Sequence, residues 1–212
     1  MDRQYSAADR LLMRLHRGVS RLAPSAQTGR SNPATPQPEQ HLDEAERRHA
    51  AGLMRINHAG EIAAQALYHG QALTARDPEV REHLLKAAAE EQDHLRWCEE
   101  RLAELGESPS KLKPLWYAGS FAIGAVAGLA GDKWSLGFVA ETEKQVSEHL
   151  GEHLQKLPAQ DEKSRSIVNT MRADETRHGE EAEQAGGRQL PQAVRELMKR
   201  AARVMKFGAY RF

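Results

Sequence analysis

The sequence predicts an all-α fold: a four-helix bundle with a long apolar crossover between its second and third helices and extra helices at the ends. Three observations predict it. Ala, Leu, Glu, Gln and Arg are plentiful and aromatic residues make up only 5% of the 212, a composition that favours helix. The alternation of apolar and polar residues that marks a strand appears at no length. One arrangement also occurs twice: Glu61 is followed thirty residues on by Glu91-Gln92-Asp93-His94, and Glu143 thirty-two residues on by Glu175-Thr176-Arg177-His178.

At this length one bundle domain with added ends is the natural reading. Residues 6–22 read as a short amphipathic helix, with Leu11, Leu12, Leu15, Val19 and Leu22 on one side and Arg10, Arg14, Arg17 and Arg21 on the other. Residues 23–40 hold Pro24, Pro33, Pro36 and Pro38 among small polar residues and read as a flexible linker. Residues 1–40 thus form a basic amphipathic segment and linker, 41–188 the bundle, and 189–212 a basic amphipathic C-terminal helix. Within the bundle, helix one spans about 42–75. Asp77-Pro78 opens helix two, which Gly106 ends. Helix three spans 132–157, stopped by Pro158, and helix four 160–185, stopped by Gly186-Gly187.

Residues i and i+3 share a helical face, so Glu91 with His94, and Glu175 with His178, can each grip one ion. Thirty residues cover a long helix, a turn and the start of the next helix, which returns the chain to the same height. A bundle projecting one Glu from each of two helices and a Glu-x-x-His from each of the others holds a pair of metal ions, and such bundles are ferritin-like. The expected metal ligands are Glu61, Glu91, His94, Glu143, Glu175 and His178. Two divalent cations would neutralise four carboxylates whose burial unpaired would be costly. Carboxylate and imidazole ligands suit iron or manganese.

The neighbours support this register. Glu143 shares its stripe with Val139, Val146 and Leu150, Glu91 with Leu84, Ala87, Leu95 and Cys98, and Glu175 with Val168 and Met171. A lone Glu-x-x-His is weak evidence, and Glu46-Arg47-Arg48-His49 is a decoy. His49 precedes Glu61 by twelve residues, roughly 18 Å along one helix. His149 and His153 form a second decoy. His58, three residues before Glu61, reads equally as a partner of the ligands or as a polar residue at a helix interface.

Pro114 to Gly131 carries no charge. A single crossing of a bilayer here would put half of the ligands on each side, so the segment reads as the crossover of the bundle, made apolar for lipid or a lipid-like ligand. Gly124-x-x-x-Gly128 would let another backbone approach. The alternative is plain core packing.

Net charge is zero but uneven: residues 1–30 carry six Lys/Arg against two Asp/Glu, and 188–212 seven against one. Val194, Leu197, Met198, Ala201 and Met205 form an apolar face on the last helix. Basic amphipathic ends point to an anionic membrane surface rather than nucleic acid, with a partner protein as the competing explanation. The expected location is peripheral, on the cytoplasmic face of the inner or cell membrane if the source is bacterial. A single cysteine, Cys98, excludes an intramolecular disulfide framework and a rubredoxin-type cage, and reads as a core residue. No secretory apolar run opens the chain.

The run Asn57-His58-Ala59-Gly60-Glu61, the two Glu-x-x-His pairs, Glu143 and the apolar crossover resemble the demethoxyubiquinone hydroxylase family of ubiquinone biosynthesis, over roughly residues 42–212. The family's usual Asp before His-Ala-Gly-Glu is Asn57 here. The resemblance implies a ferritin-like fold, two irons per chain, O2 as co-substrate, and hydroxylation of the ring of a polyprenyl benzoquinol, with ubiquinone-pathway proteins as partners and oligomers possible. The prenyl tail would stay in lipid, with Phe121 on the crossover and Phe138 on helix three as gate residues. His149, six residues beyond Glu143, is a candidate proton relay, with a surface histidine as the alternative. Iron storage or a quinone carrier would use the same bundle, but storage needs a cage-forming surface and a carrier does not need six ligands.

Overall fold

The computed structural model describes residues 29–211; the expected helix at 6–22 lies outside them. The described residues form six helices: α1 (Glu44–Thr74), α2 (Pro78–Glu104), α3 (Lys113–Leu129), α4 (Asp132–Lys156), α5 (Glu162–Gln184) and α6 (Gln192–Arg211). The four bundle helices begin and end within two residues of the sequence expectation, because their stops are local chemistry. Asp43 caps α1, accepting from the N–H groups of Ala45 and Glu46, while the Glu46 carboxylate accepts from the Asp43 N–H. Asp77 caps α2 ahead of Pro78.

Helices α1 and α2 pack as one pair and α4 and α5 as the other, with α3 crossing between the pairs and α6 lying against α1 and α4. The α3–α4 turn is made at Gly131, where φ is +108°, a conformation closed to residues with a Cβ. The Asp132 carboxylate then accepts from the N–H groups of Arg76 and Asp77, tying this turn to the one between α1 and α2. Along its length α3 rests on α1. A Cβ on Gly124 would collide with the Leu67 carbonyl, and one on Gly70 with the Phe121 carbonyl. The glycine spacing therefore serves backbone contact with α1. The opposite side of α3 leaves Leu115, Val126 and Leu129 exposed.

Two apolar clusters fill the bundle. One holds Met54, Trp97, Cys98, Leu102, Leu150, Ile167, Val168 and Met171. The other holds Tyr68, Leu84, Ala87, Ala88, Val139 and Ala182. Cys98 is a core residue beside Met171, and burial pushes its thiol well up.

The linker expectation fails for residues 29–40, which lie docked on the bundle. Asn32 donates to Glu100 (2.7 Å), Ser166 donates to the Pro33 carbonyl (2.9 Å), and Ala34 is buried. Glu39 accepts from Arg101 (2.9 Å), a fully buried guanidinium that also reaches Asp161 and Ser164. Proline spacing reads as a linker, but these polar groups find partners far along the chain.

Candidate metal centre

Between the two apolar clusters the stripes carry charge. On α1, Glu61 sits between Met54 and Tyr68. On α2, Glu91 and His94 sit between Ala88 and Trp97. Glu143 stands between Val139 and Leu150 on α4, and Glu175 and His178 between Met171 and Ala182 on α5. All six are within 3% of complete burial.

The structure brings the six together as two overlapping groups, Glu61/Glu91/His94/Glu175 and Glu91/Glu143/Glu175/His178, each with ligand atoms within 4.8 Å of one another. Glu91 and Glu175 belong to both groups, Glu61 and His94 to one, Glu143 and His178 to the other. The spacing argument paired each Glu with the His of its own motif; the geometry makes both of those glutamates shared. His94 turns Nδ1 to Glu91 (2.9 Å), Glu175 (3.2 Å) and Glu61 (3.5 Å). His178 turns Nδ1 to Glu91 (3.4 Å) and Glu175 (3.6 Å).

The electrostatics call for cations. Burial, with Glu175 as the nearest like charge, pushes Glu61 and Glu143 well above the usual carboxylate range. Burial opposes ionisation of Glu91 and Glu175 as well, but the two imidazoles overcome it and both carboxyls lie low. His94 and His178 are driven up despite burial, because carboxylates surround them. Both oxygens of Glu143 and of Glu175, Oε1 of Glu91 and Nδ1 of His178 are buried without a hydrogen bond. Glu175 Oε1 does lie near His94 Nδ1, but not in hydrogen-bond alignment. Unsatisfied buried polar atoms cost about 1–3 kcal/mol each, and cations held by these groups would offset that cost. The residues therefore fit a pair of metal ions.

Behind each imidazole stands a carboxylate from the opposite motif. Asp174, immediately before Glu175, meets His94 Nε2 at 3.0 Å. Glu90, immediately before Glu91, meets His178 Nε2 at 2.9 Å. Such partners fix the tautomer and the ring orientation of a ligating histidine. The hydrogen bond to His178 and that to Arg177 hold Glu90 down to about 2. Asp174 is opposed by burial, yet His94 and Arg30 bring it to about 2. Sequence reasoning missed both, although the signal was there: an acid precedes the metal glutamate in each motif.

The other candidates lie elsewhere. His58 pairs with Glu99 (2.9 Å), the interface alternative. His49 reaches the Tyr210 hydroxyl (3.1 Å). His149 is half-buried against His153, ring centroids 3.9 Å apart, and belongs to neither ligand group. Phe121 is half-buried and stacks on Tyr117, and Phe138 is half-buried on α4 one and a half turns before Glu143.

Comparison with known proteins decides the family. The family described as "Ubiquinone biosynthesis protein COQ7" matches residues 48–208, which span all six helices save the start of the first and the end of the last. The chain belongs to the COQ7 family. Among its relatives, a protein of Xanthomonas oryzae pv. oryzae named 3-demethoxyubiquinol 3-hydroxylase is 55% identical over 99% of this chain and 97% of its own length. Proteins of the same name from Xanthomonas campestris pv. campestris (55% identical, 100% and 97%) and Ralstonia pickettii (56%, 96% and 99%) match as fully. The COQ7 match includes every residue of the two ligand groups and leaves out residues 29–47, the docked N-terminal turns among them.

Proposed function

We propose that this chain is an O2-dependent di-iron monooxygenase that hydroxylates the ring of a polyprenylated demethoxyubiquinol in ubiquinone biosynthesis. The observation that carries the reading is the pair of overlapping Glu/His groups that share Glu91 and Glu175. The names of the full-length relatives supply the substrate. Glu61 and His94 would hold one iron, Glu143 and His178 the other, with Glu91 and Glu175 between them. Bound there, two irons would supply the activation of O2: one oxygen atom enters a ring C–H bond to give C–OH, and the other leaves as water after taking up two electrons from an external reductant and two protons. The chain's own part is to position and to exclude. Asp174 and Glu90 keep each Nδ1 aimed inward by holding Nε2. The apolar clusters above and below keep bulk water from the ligands.

The substrate's tail needs lipid, and the outer surface offers an apolar strip. No helix among the described residues is long and apolar enough to cross a membrane. On α3, Leu115, Val126 and Leu129 are exposed, and on α6 Leu197, Val204 and Phe207. Gly208 of α6 lies close to Trp116 of α3 and to Leu112 just before it, so Phe207 and Leu115 flank one contact and the strip runs across both helices. The last helix adds its basic residues. On this ground we propose peripheral attachment to an anionic membrane, with α3 as the side from which the ring enters past Phe121 and Phe138; the face would be the cytoplasmic one of the inner or cell membrane if the source is bacterial.

The test is quinone profiling of a strain lacking the gene, with iron analysis of the purified protein. A demethoxy quinone should accumulate while ubiquinone falls, and the protein should carry about two irons per chain, the number this motif holds. An unchanged quinone profile overturns the reaction. Phe121→Asp should lower activity with iron content unchanged; loss of iron in step with activity makes α3 a strut rather than a gate.

A further inference from the structure

The two halves of the centre are built alike except at one place. Arg177, the residue before His178, donates to Glu90 (2.6 Å), and Glu90 in turn holds His178 Nε2. The first motif has no such arginine: the residue before His94 is Asp93. Arg177 reaches Asp174 only at longer range, through Oδ1 at 3.4 Å; the short contact comes instead from the docked N-terminal turns. Arg30 Nη1 donates to Asp174 Oδ2 at 2.7 Å, and that same oxygen meets His94 Nε2.

Arg30 is held there from several sides. Its N–H donates to Asp93 Oδ2 (3.2 Å), so the aspartate standing where an arginine would be is the anchor of the replacement. Its carbonyl accepts from Arg96. Its guanidinium lies 5.0 Å from the centre of the Trp97 ring, and Trp97 packs on the His94 ring at 5.3 Å. Arg30 therefore reaches His94 by two routes, through the Asp174 carboxylate and through the indole.

We propose that Arg30 is a positioning residue of the metal centre: it does for His94, from outside the bundle, what Arg177 does for His178 from within its own helix. The inference rests on the metal reading above. It gives the docked turns a function, since residues 29–34 bring one cation to the imidazole whose motif lacks it. An anchored partner behind a ligating histidine is worth roughly 10–100-fold in metal affinity.

The experiment uses the full-length iron-loaded protein. Iron release to a chelator and the Mössbauer spectrum are compared for wild type, Arg30→Ala, Arg30→Lys, Arg177→Ala and Asn32→Ala. Arg30→Ala should release one of the two irons about tenfold faster and alter one of the two iron signals, while Arg177→Ala, whose short contact is with Glu90, should act chiefly on the other. Arg30→Lys, which keeps the charge, should recover most of the difference. Asn32→Ala, which loosens the same turns but keeps the guanidinium, should behave as wild type. In an Asp174→Asn background, Arg30→Ala should add clearly less than it does alone, only the route through the indole being left. The proposal is overturned if Arg30→Ala keeps wild-type release at both irons, or if it and Asn32→Ala speed both irons alike, which would make the turns a plain structural clamp. A wild-type protein that holds no iron overturns the centre itself, and this inference with it.

Discussion

The middle of the bundle is charged and the outer side of α3 is apolar, and each inverts what a helical protein ordinarily does. They differ in how the inversion is held. Among the six buried ligands the two imidazoles are held from both sides, each facing carboxylates on one nitrogen and an anchored carboxylate on the other. Among the described residues nothing covers the exposed apolar residues of α3 on their own side; they are out because the glycine side is taken by α1. A buried charge points to a ligand that enters the protein, and the exposed apolar strip is what the proposed membrane attachment would use.

The sharpest way to break this comparison is to remove a shared ligand. Glu175→Ala takes a carboxylate from both groups at once, so both irons should be lost and activity should fall by more than about a hundredfold, beyond what loss of a supporting partner costs. Glu61→Ala, which belongs to one group only, should leave one iron more firmly held than the other. Metal analysis and turnover check both. Full iron content in Glu175→Ala would remove it from the ligand set.

On the outer side, Val126→Asp with Leu129→Asp should weaken binding to anionic vesicles at least about tenfold, because each change replaces exposed apolar area with a charge that lipid disfavours. Iron content should not change, since neither side chain is near the ligand groups. High salt should weaken wild-type binding as well, by screening the basic residues of α6. Wild-type vesicle binding that neither substitution nor salt affects would detach the strip from any membrane role.

Much of this was legible in the sequence because it is local. The paired Glu-x-x-His spacing, the caps at Asp43 and Asp77 and the glycine stops each depend on a few neighbouring residues. What was not legible depends on how one helix is rotated against another. Asp174 and Glu90 read as ordinary solvated acids until α2 and α5 face each other. On α6 the expected face of Val194, Leu197, Met198, Ala201 and Met205 is split: Met198 and Met205 are half-buried, while Val204 and Phe207 join Leu197 outside. The proline-rich turns hid a docked segment because Arg30, Asn32 and Glu39 find their partners on α2 and α5.

The fit of α3 on α1 can be tested by sign. Gly124→Ala drives a Cβ into the Leu67 carbonyl and should destabilise the protein by about 2 kcal/mol, the range for overpacking. Gly119, on the same helix, has open space where its Cβ would be, so Gly119→Ala should stabilise by up to about 1 kcal/mol through helix propensity. Thermal denaturation of the two variants measures both. The same sign for both would mean that the close approach of α1 and α3 is not tight.

A last test sharpens the contrast within the interior itself. His149 is half-buried beside the buried His153, yet among the described residues no carboxylate faces them. Burial brings His149 to about 3, with Lys206 and Lys156 adding to it. Burial and the neighbouring His149 bring His153 to about 2, with Lys156, Lys206 and His49 on the same side of the balance. Unfolded, each takes a proton near pH 6.5. A histidine depressed in the folded state binds fewer protons there than when unfolded, so it costs no stability above about pH 6.5. Below that it costs progressively more until the folded pKa is reached. Each such group contributes about 1.4 kcal/mol per pH unit at most. Replacing both with glutamine should therefore flatten the fall in stability between pH 6.5 and pH 5 by about 1–2 kcal/mol per pH unit, while leaving stability at pH 8 governed by packing alone. Denaturant midpoints of the variant and wild type across that window give the difference directly, since acid effects on the ligand carboxylates are common to both. Parallel curves would mean that the pair takes up protons in the folded protein as readily as in the unfolded chain, so that burial does not hold it neutral.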